Sequence, residues 1–239
     1  MKNNLYLAYG IFAYLSFLAA LFSVIGFGGN LFVPEKPEAL STIPFLKSII
    51  INVLLIVLVI VQVYVSAKLV IKKQLAIKLP EPLERSTVVL LVSSGVLVAV
   101  WLWQPMGGII WMVNSAAIKN LLLFLYFLGW SLVIISTFLI YHLDIFGLKQ
   151  VWCYYTGKPY QHPVLMKPVF LRFARHPFYF GFLVACWSVP VMTVTHLLVA
   201  CVCSGYVILV MKNAEYDLVF WVERSRSYRK QTPFFNYTN

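Results

Sequence analysis

Long stretches without a charged residue constrain this chain more than any other feature. Residues 5–27 read LYLAYGIFAYLSFLAALFSVIGF and residues 48–67 read SIIINVLLIVLVIVQVYVSA, and neither contains an acid or a base. A helix needs roughly 20 apolar residues to cross a bilayer. Only 11% of the 239 residues are charged, against about 25% in soluble domains. Mean hydropathy is +0.84, and the chain is therefore predicted to be an integral membrane protein.

The apolar blocks predict an all-α, polytopic bundle of about six transmembrane helices, a single domain over residues 1–239. The predicted spans are 5–27, 48–67, 87–103, 121–141, 178–190 and 191–211. The last two come from one uncharged block that is too long for a single span at ~1.5 Å per residue. Pro190 lies in this block, and because proline breaks a helix interior, the block is predicted to be a hairpin. No glycine pattern predicts a Rossmann domain.

Basic residues predict the orientation of the bundle. The net charge is +11, and 16 of the 19 lysines and arginines fall at the N-terminus, in the loops 68–86 and 142–177, or in the tail 212–239. Cytoplasmic loops are enriched in such residues, so these segments and both termini are predicted to be cytoplasmic. Topology and anionic lipid explain most of the charge, and an anionic ligand pocket is the second explanation. Nucleic-acid binding is not predicted, because the basic residues flank helices.

The stretch RFARHPFYFGF at 172–182 places three basic side chains before an apolar run. Pro177 suits the first position of a helix, where free backbone N–H groups favour an anion. Arg175 adds a bidentate donor for a carboxylate, and Tyr179 adds an aromatic face. The stretch thus fits a ligand with a carboxylate, a positive centre and a flat ring. It fits equally well two arginine anchors at the membrane interface with His176 as a helix cap.

The predicted connection 142–177 carries the other candidate chemistry. A connection of that length is often functional. His142 is the candidate general base, because histidine accepts a proton near neutral pH, with Asp144 or Glu215 behind it. The alternative for His142 is a helix-end cap. No metal site is predicted, and the four cysteines show neither CxxC nor zinc-ligand spacing.

Several motifs, in order along the chain, resemble those of one group of membrane enzymes. RHPFYFG is similar to the RHPxYxG motif of isoprenylcysteine carboxyl methyltransferases. A closer resemblance is to the bacterial methanethiol S-methyltransferase branch. It rests on ERST at 84–87, WQPMGGIIW at 103–111, STFLIYHLDIFGLKQVW at 136–152 and GKPY at 157–160. The nuclear-envelope protein nurim shares the GLKQV stretch.

The resemblance implies methylation of methanethiol to dimethyl sulfide by S-adenosylmethionine at the cytoplasmic face of a bacterial inner membrane. It implies a small thiol and membrane lipid as partners. The cofactor-binding positions that match the family motifs are Arg175, His176, Pro177, Tyr179, Gly181, Glu215 and Tyr228. Ala214 departs from the pattern, because the family usually has a glutamate there. Two alternatives stay open: a non-catalytic nurim-like scaffold, and methylation of a larger lipid or prenyl-cysteine acceptor.

Overall fold

The computed structural model describes residues 2–29, 44–72, 80–139, 142–160 and 177–222. These ranges are helical almost throughout, which confirms the predicted all-α bundle. The helices are α1 (Lys2–Gly28), α2 (Phe45–Lys72), α3 (Glu84–Trp101), α4 (Ala116–Leu139), α5 (His142–Ile145), α6 (Leu148–Tyr155), α7 (Pro177–Trp187) and α8 (Val194–Val222). A 3-10 turn, Glu81–Leu83, precedes α3. Helices α1 to α4 and α8 are each long and apolar enough to cross a membrane, and α7 is a shorter apolar helix.

The helix ends differ from the predicted spans. The predicted break of the last apolar block is confirmed, since α7 ends at Trp187 and the chain is not helical again until Val194. The second helix of the pair is longer than predicted: α8 runs on to Val222, into the segment predicted as a tail. Residues 212–222 contain no proline or glycine, so the local sequence gives the helix no reason to stop.

The chain divides into two compact units: Met1–Gly108 with Tyr141–Pro163, and Ile109–Ile140 with Val164–Asn239. In the first unit α3 packs against both α1 and α2. The Tyr9 hydroxyl donates to Thr87 Oγ1 at 3.0 Å, and the rings of Phe27 and Trp103 meet at 5.6 Å near the other ends of α1 and α3. Helices α1 and α3 therefore run in the same direction.

Helix α2 is antiparallel to α3. Near the start of α2 the buried side chain of Asn52 donates to the Gln104 carbonyl at 2.7 Å and accepts from the Gln104 N–H at 2.9 Å. Farther along α2, Gln62 Nε2 donates to the Leu91 carbonyl at 2.7 Å. In the first unit α1 and α3 are therefore parallel, and α2 is antiparallel to both. This arrangement agrees with the alternating direction of the first three predicted spans.

The predicted connection after α4 begins with two helices that pack inside the first unit. Helix α6 lies against α1, where the ring of Tyr154 stacks on Tyr6 at 5.2 Å. His142 of α5 meets Tyr14, which at ~1.5 Å per residue lies about 18 Å along α1 from Lys2. The segment thus returns along the first half of α1 rather than lying outside the bundle as a loop.

In the second unit α4 packs closely against α7. A Cβ atom built at Gly129 would lie 2.6 Å from the Gly181 carbonyl oxygen, and one built at Gly181 would lie 2.7 Å from the Gly129 oxygen. Strands β1 (Ile109–Met112) and β2 (Val191–Thr193) form an antiparallel pair before α4 and after α7. Glycines at both positions therefore allow the two backbones to approach more closely than any other residue would permit.

Candidate active site

Asp144 is the centre of a buried hydrogen-bond network in the first unit. Its side chain is 2% exposed. Tyr160 Oη donates to Oδ1 at 2.6 Å, Gln150 Nε2 donates to the same oxygen at 3.1 Å, and Lys149 Nζ pairs with Oδ2 at 2.9 Å. A buried carboxylate is tolerated when donors satisfy it in this way.

The main chain of Asp144 joins the same network. Arg85 Nη1 donates to the Asp144 carbonyl at 3.0 Å and Gln150 Nε2 donates to it at 3.2 Å. This carbonyl lies in the last turn of the short helix α5, and it also accepts from the Gly147 N–H at 3.3 Å. The stretch ERST thus meets YHLDIFGLKQVW and GKPY, which lie much later in the sequence, around one aspartate.

Gly147 makes the sharp turn that brings α6 back toward Asp144. Its φ is +81°, in the left-handed region that favours glycine, and an added Cβ would lie 2.7 Å from the Ser86 nitrogen. Both the backbone conformation and the close approach to α3 therefore require a residue without a side chain. The turn places Lys149 and Gln150 within reach of the carboxylate.

The surroundings of Asp144 raise the pKa of two residues that contact it. The hydrogen bond to Asp144 raises the pKa of Lys149 above its usual value. Burial raises the pKa of Tyr160, and its hydrogen bond to Asp144 adds to the effect. Both residues therefore keep their neutral-pH protonation states well into the alkaline range.

Beside Arg85 a cavity of about 190 Å³ is lined by the apolar side chains of Val88, Val89 and Ile145.

His142, two residues before Asp144 on α5, lies in an aromatic cluster. Its side chain is 7% exposed, and its Nε2 is 2.8 Å from the Tyr14 hydroxyl oxygen. The ring of Phe146 lies 4.7 Å from the imidazole and is stacked on Phe17 at 3.8 Å. Burial in this cluster lowers the pKa of His142, so at neutral pH the imidazole is in the neutral form that a general base requires.

Three of the predicted cofactor-binding residues lie on α7 in the second unit. The helix begins at Pro177, as predicted, and Pro177 is buried. Tyr179 follows in the first turn and is half-buried. Gly181 is buried against α4, so helix packing already explains why a glycine stands there. The role of these three residues in cofactor binding stays a prediction.

The remaining predicted positions carry less structural information. Arg175, His176 and Tyr228 lie outside the described residues. Glu215 lies on α8, in the part that was predicted to be a tail. Within the described ranges, no group of three histidine, cysteine or acidic side chains is placed to hold a metal ion.

The sequence singled out His142 and Asp144 as candidates but did not predict which residues they contact. Tyr14 and Arg85 are 128 and 59 residues away from the groups they contact, and the sequence pattern alone does not pair residues at such separations. One signal was available: Asp144 is one of only eight acids in a chain with 19 basic residues. Lys149 follows it closely, and a buried acid needs such a partner.

Proteins similar to this chain cover almost its whole length. A methanethiol S-methyltransferase of Crocosphaera subtropica is 35% identical over 98% of this chain and 92% of its own length. One of Mycobacterium tuberculosis is 37% identical over 97% and 95%. Nurim of Xenopus laevis is 29% identical over 77% of this chain and 67% of its own length. No protein-family model and no solved structure matches the chain. With identity of this order from end to end, the chain belongs to the methanethiol S-methyltransferase family.

Proposed function

We propose that this protein transfers a methyl group from S-adenosylmethionine to methanethiol and releases dimethyl sulfide. One observation carries the proposal: identity of 35% and 37% with two proteins of that name over nearly the entire chain. Because the similarity runs through both compact units, it is not confined to one shared motif. The catalytic face is proposed to be cytoplasmic, with both termini on that side of a bacterial inner membrane, because the basic residues flank the helices there.

The methyl donor is proposed to bind where α7 begins. The backbone N–H groups at the Pro177 end of this helix favour an anion such as the methionine carboxylate. Arg175 and His176 would add side-chain donors just before it. The half-buried ring of Tyr179 would face the positive sulfur, a contact worth ~0.5 to 2 kcal/mol. Further positions proposed to contact the donor are Gly181, Glu215 and Tyr228.

The chain's own contribution to the reaction is alignment and removal of a proton. S-adenosylmethionine supplies a methyl group on an already activated sulfonium. Holding the acceptor sulfur within ~3 to 3.5 Å of that methyl group lowers the barrier by several kcal/mol. The thiolate is the attacking species, and His142 is the proposed base. Asp144 supports it, because the hydrogen bonds from Arg85 and Gln150 to its carbonyl fix the short helix that carries His142.

The direct test uses the whole protein in lipid nanodiscs. Wild type with S-adenosylmethionine and methanethiol should release dimethyl sulfide into the headspace, detected by gas chromatography. Isothermal titration should show binding of the donor. His176→Ala should weaken that binding, while the same substitution at His162, to which no role is assigned, should not. Absence of product from folded wild type would contradict the proposed function.

A non-catalytic scaffold is the second candidate. It is favoured by the similarity to nurim over 77% of the chain and by Ala214, which stands where the family usually has a glutamate. A scaffold would bind no S-adenosylmethionine, and His176→Ala would change nothing measurable. The same titration therefore separates the two candidates.

A further inference from the structure

A polar pair lies inside the apolar part of the first unit. Tyr14 stands about 18 Å along α1, a helix whose sequence is uncharged from residue 3 to Gly28. His142 meets it from α5, with 2.8 Å between the hydroxyl oxygen and Nε2. Ionisable groups at such a depth cost free energy and usually serve a function.

Aromatic rings lie around this pair and help to bury the imidazole. Phe17 and Phe146 stack on each other at 3.8 Å, and the His142 ring lies 6.3 Å and 4.7 Å from them. Hydrogen bonding is stronger in such surroundings than in water. A small apolar molecule such as a thiol also enters such apolar surroundings more readily than an ion does.

The two members of the pair differ in access. The imidazole is 7% exposed, whereas Tyr14 is half-buried. Tyr14 is therefore the more accessible of the two residues to a molecule that approaches the pair. A phenol can accept a proton and pass on its own through its one oxygen, which makes Tyr14 suited to stand between a thiol and the buried base.

We propose that Tyr14 is a catalytic residue that relays the proton of the acceptor thiol to His142. This inference rests on the proposed function and adds a residue to it. The S–H bond of the thiol breaks and its proton joins Tyr14 Oη, while the proton of Tyr14 passes to His142 Nε2. The sulfur electron pair forms the new S–CH₃ bond. The bond from the methyl carbon to the sulfonium donor breaks, its electron pair stays on the donor sulfur, and the imidazolium later releases the proton to water.

Other titratable and charged groups near the pair do not compete for this role. They include Tyr9 on α1, Arg85 on α3, Asp144 on α5, and Lys149 and Tyr160 on and after α6. Each has its own partner: Tyr9 donates to Thr87, and the other four belong to the Asp144 network. The pKa values of Lys149 and Tyr160 are raised, so both hold their neutral-pH charge states through a pH series from about 6.5 to 9.5.

The test compares Tyr14→Phe with Tyr9→Phe and wild type in nanodiscs. Both substitutions remove one hydroxyl and one hydrogen bond from the same helix. We expect Tyr14→Phe to lower kcat/KM for methanethiol about 10²-fold near pH 7, a usual loss for general base catalysis. The loss should shrink as the pH rises, because the thiol then ionises without help. Tyr9→Phe should stay close to wild type at every pH.

Two results for Tyr14→Phe would contradict the proposed relay. A Tyr14→Phe variant as active as Tyr9→Phe, or one whose loss is the same at every pH, would overturn the relay. If wild type makes no dimethyl sulfide, the proposed function itself fails, and the relay fails with it. Should Tyr14→Phe not fold, wild type gives a second test. The relay moves two protons together, so it requires a solvent deuterium isotope effect on kcat/KM at neutral pH that depends on the deuterium fraction through two protons and disappears at alkaline pH. No isotope effect, or one that arises from a single proton, would contradict the relay.

Discussion

Asp144→Asn removes one charge from the centre of the buried network with almost no change of shape. The carboxylate offers two acceptor oxygens, one to Tyr160 and Gln150 and the other to Lys149. An asparagine keeps one oxygen and turns an NH₂ group toward the donors on the other side. Whichever way the amide is oriented, at least one donor then faces another donor.

The size of the effect follows from the exposure of each partner. Lys149 is 39% exposed, and solvent screens its ion pair to about 0–1 kcal/mol. Tyr160 and Gln150 donate to a buried charged oxygen, and such bonds contribute ~1.5 to 3 kcal/mol each, against ~0.5 to 1.5 for neutral ones. We therefore expect Asp144→Asn to lower the free energy of unfolding by ~2 to 4 kcal/mol, and Lys149→Ala to lower it by less than ~1 kcal/mol.

Unfolding of the purified variants in mixed detergent micelles measures both changes. Lys158→Ala is the matched control, since Lys158 is exposed and lies in the same segment. If Lys149→Ala costs as much as Asp144→Asn, then the ion pair and not the buried neutral donors holds the network together. A wild-type stability for Asp144→Asn would refute the reasoning altogether.

Three further predictions concern packing, a buried amide and pH. Gly129→Ala should lower the free energy of unfolding, measured by thermal unfolding, by ~1 to 3 kcal/mol or more, because its methyl group would lie 2.6 Å from a backbone oxygen of α7. Gly205→Ala is the control and should leave this free energy unchanged, because nothing lies within 4 Å of the added methyl group. Asn52→Ala should cost ~2 to 4 kcal/mol, since the N–H and carbonyl of Gln104 lose their partner; a cost below that of a surface substitution would contradict this. Because the pKa of His142 is lowered by burial, the native state resists protonation, so its contribution to stability is present above pH ~6.5 and is lost as the pH falls below it. Unfolding measured between pH 5 and 7 should show this decline in wild type and a weaker one in His142→Gln.

The membrane helices were predictable because hydropathy reports directly on a helix surrounded by lipid. The segment after α4 was not, because its composition points the other way. His142, Asp144 and Gln150 are polar, which favours a connection between helices, yet all three are buried. Their hydrogen bonds satisfy one another inside the unit, and a reading of composition does not detect mutual satisfaction. Helices α5 and α6 were therefore missed.

Some of the residues proposed for the site could be singled out from the sequence, and one could not. A histidine and an aspartate two residues apart are visible in any sequence, and so is a motif that resembles a known family. Tyr14 gave no such signal, because it is one of 14 tyrosines in a helix that reads as an ordinary span. Its proposed role rests only on the fold, which brings it to 2.8 Å from a residue 128 positions later.

The closeness of α4 and α7 affects how variants at Gly181 should be interpreted. Any larger residue at this position would push against the main chain of a neighbouring helix, and inactivity would follow from a damaged bundle even if the position never touched a ligand. Loss of methyl transfer in such a variant says nothing about donor recognition unless the helices are shown to be still assembled. A glycine that belongs to a family motif can thus be required for helix packing alone.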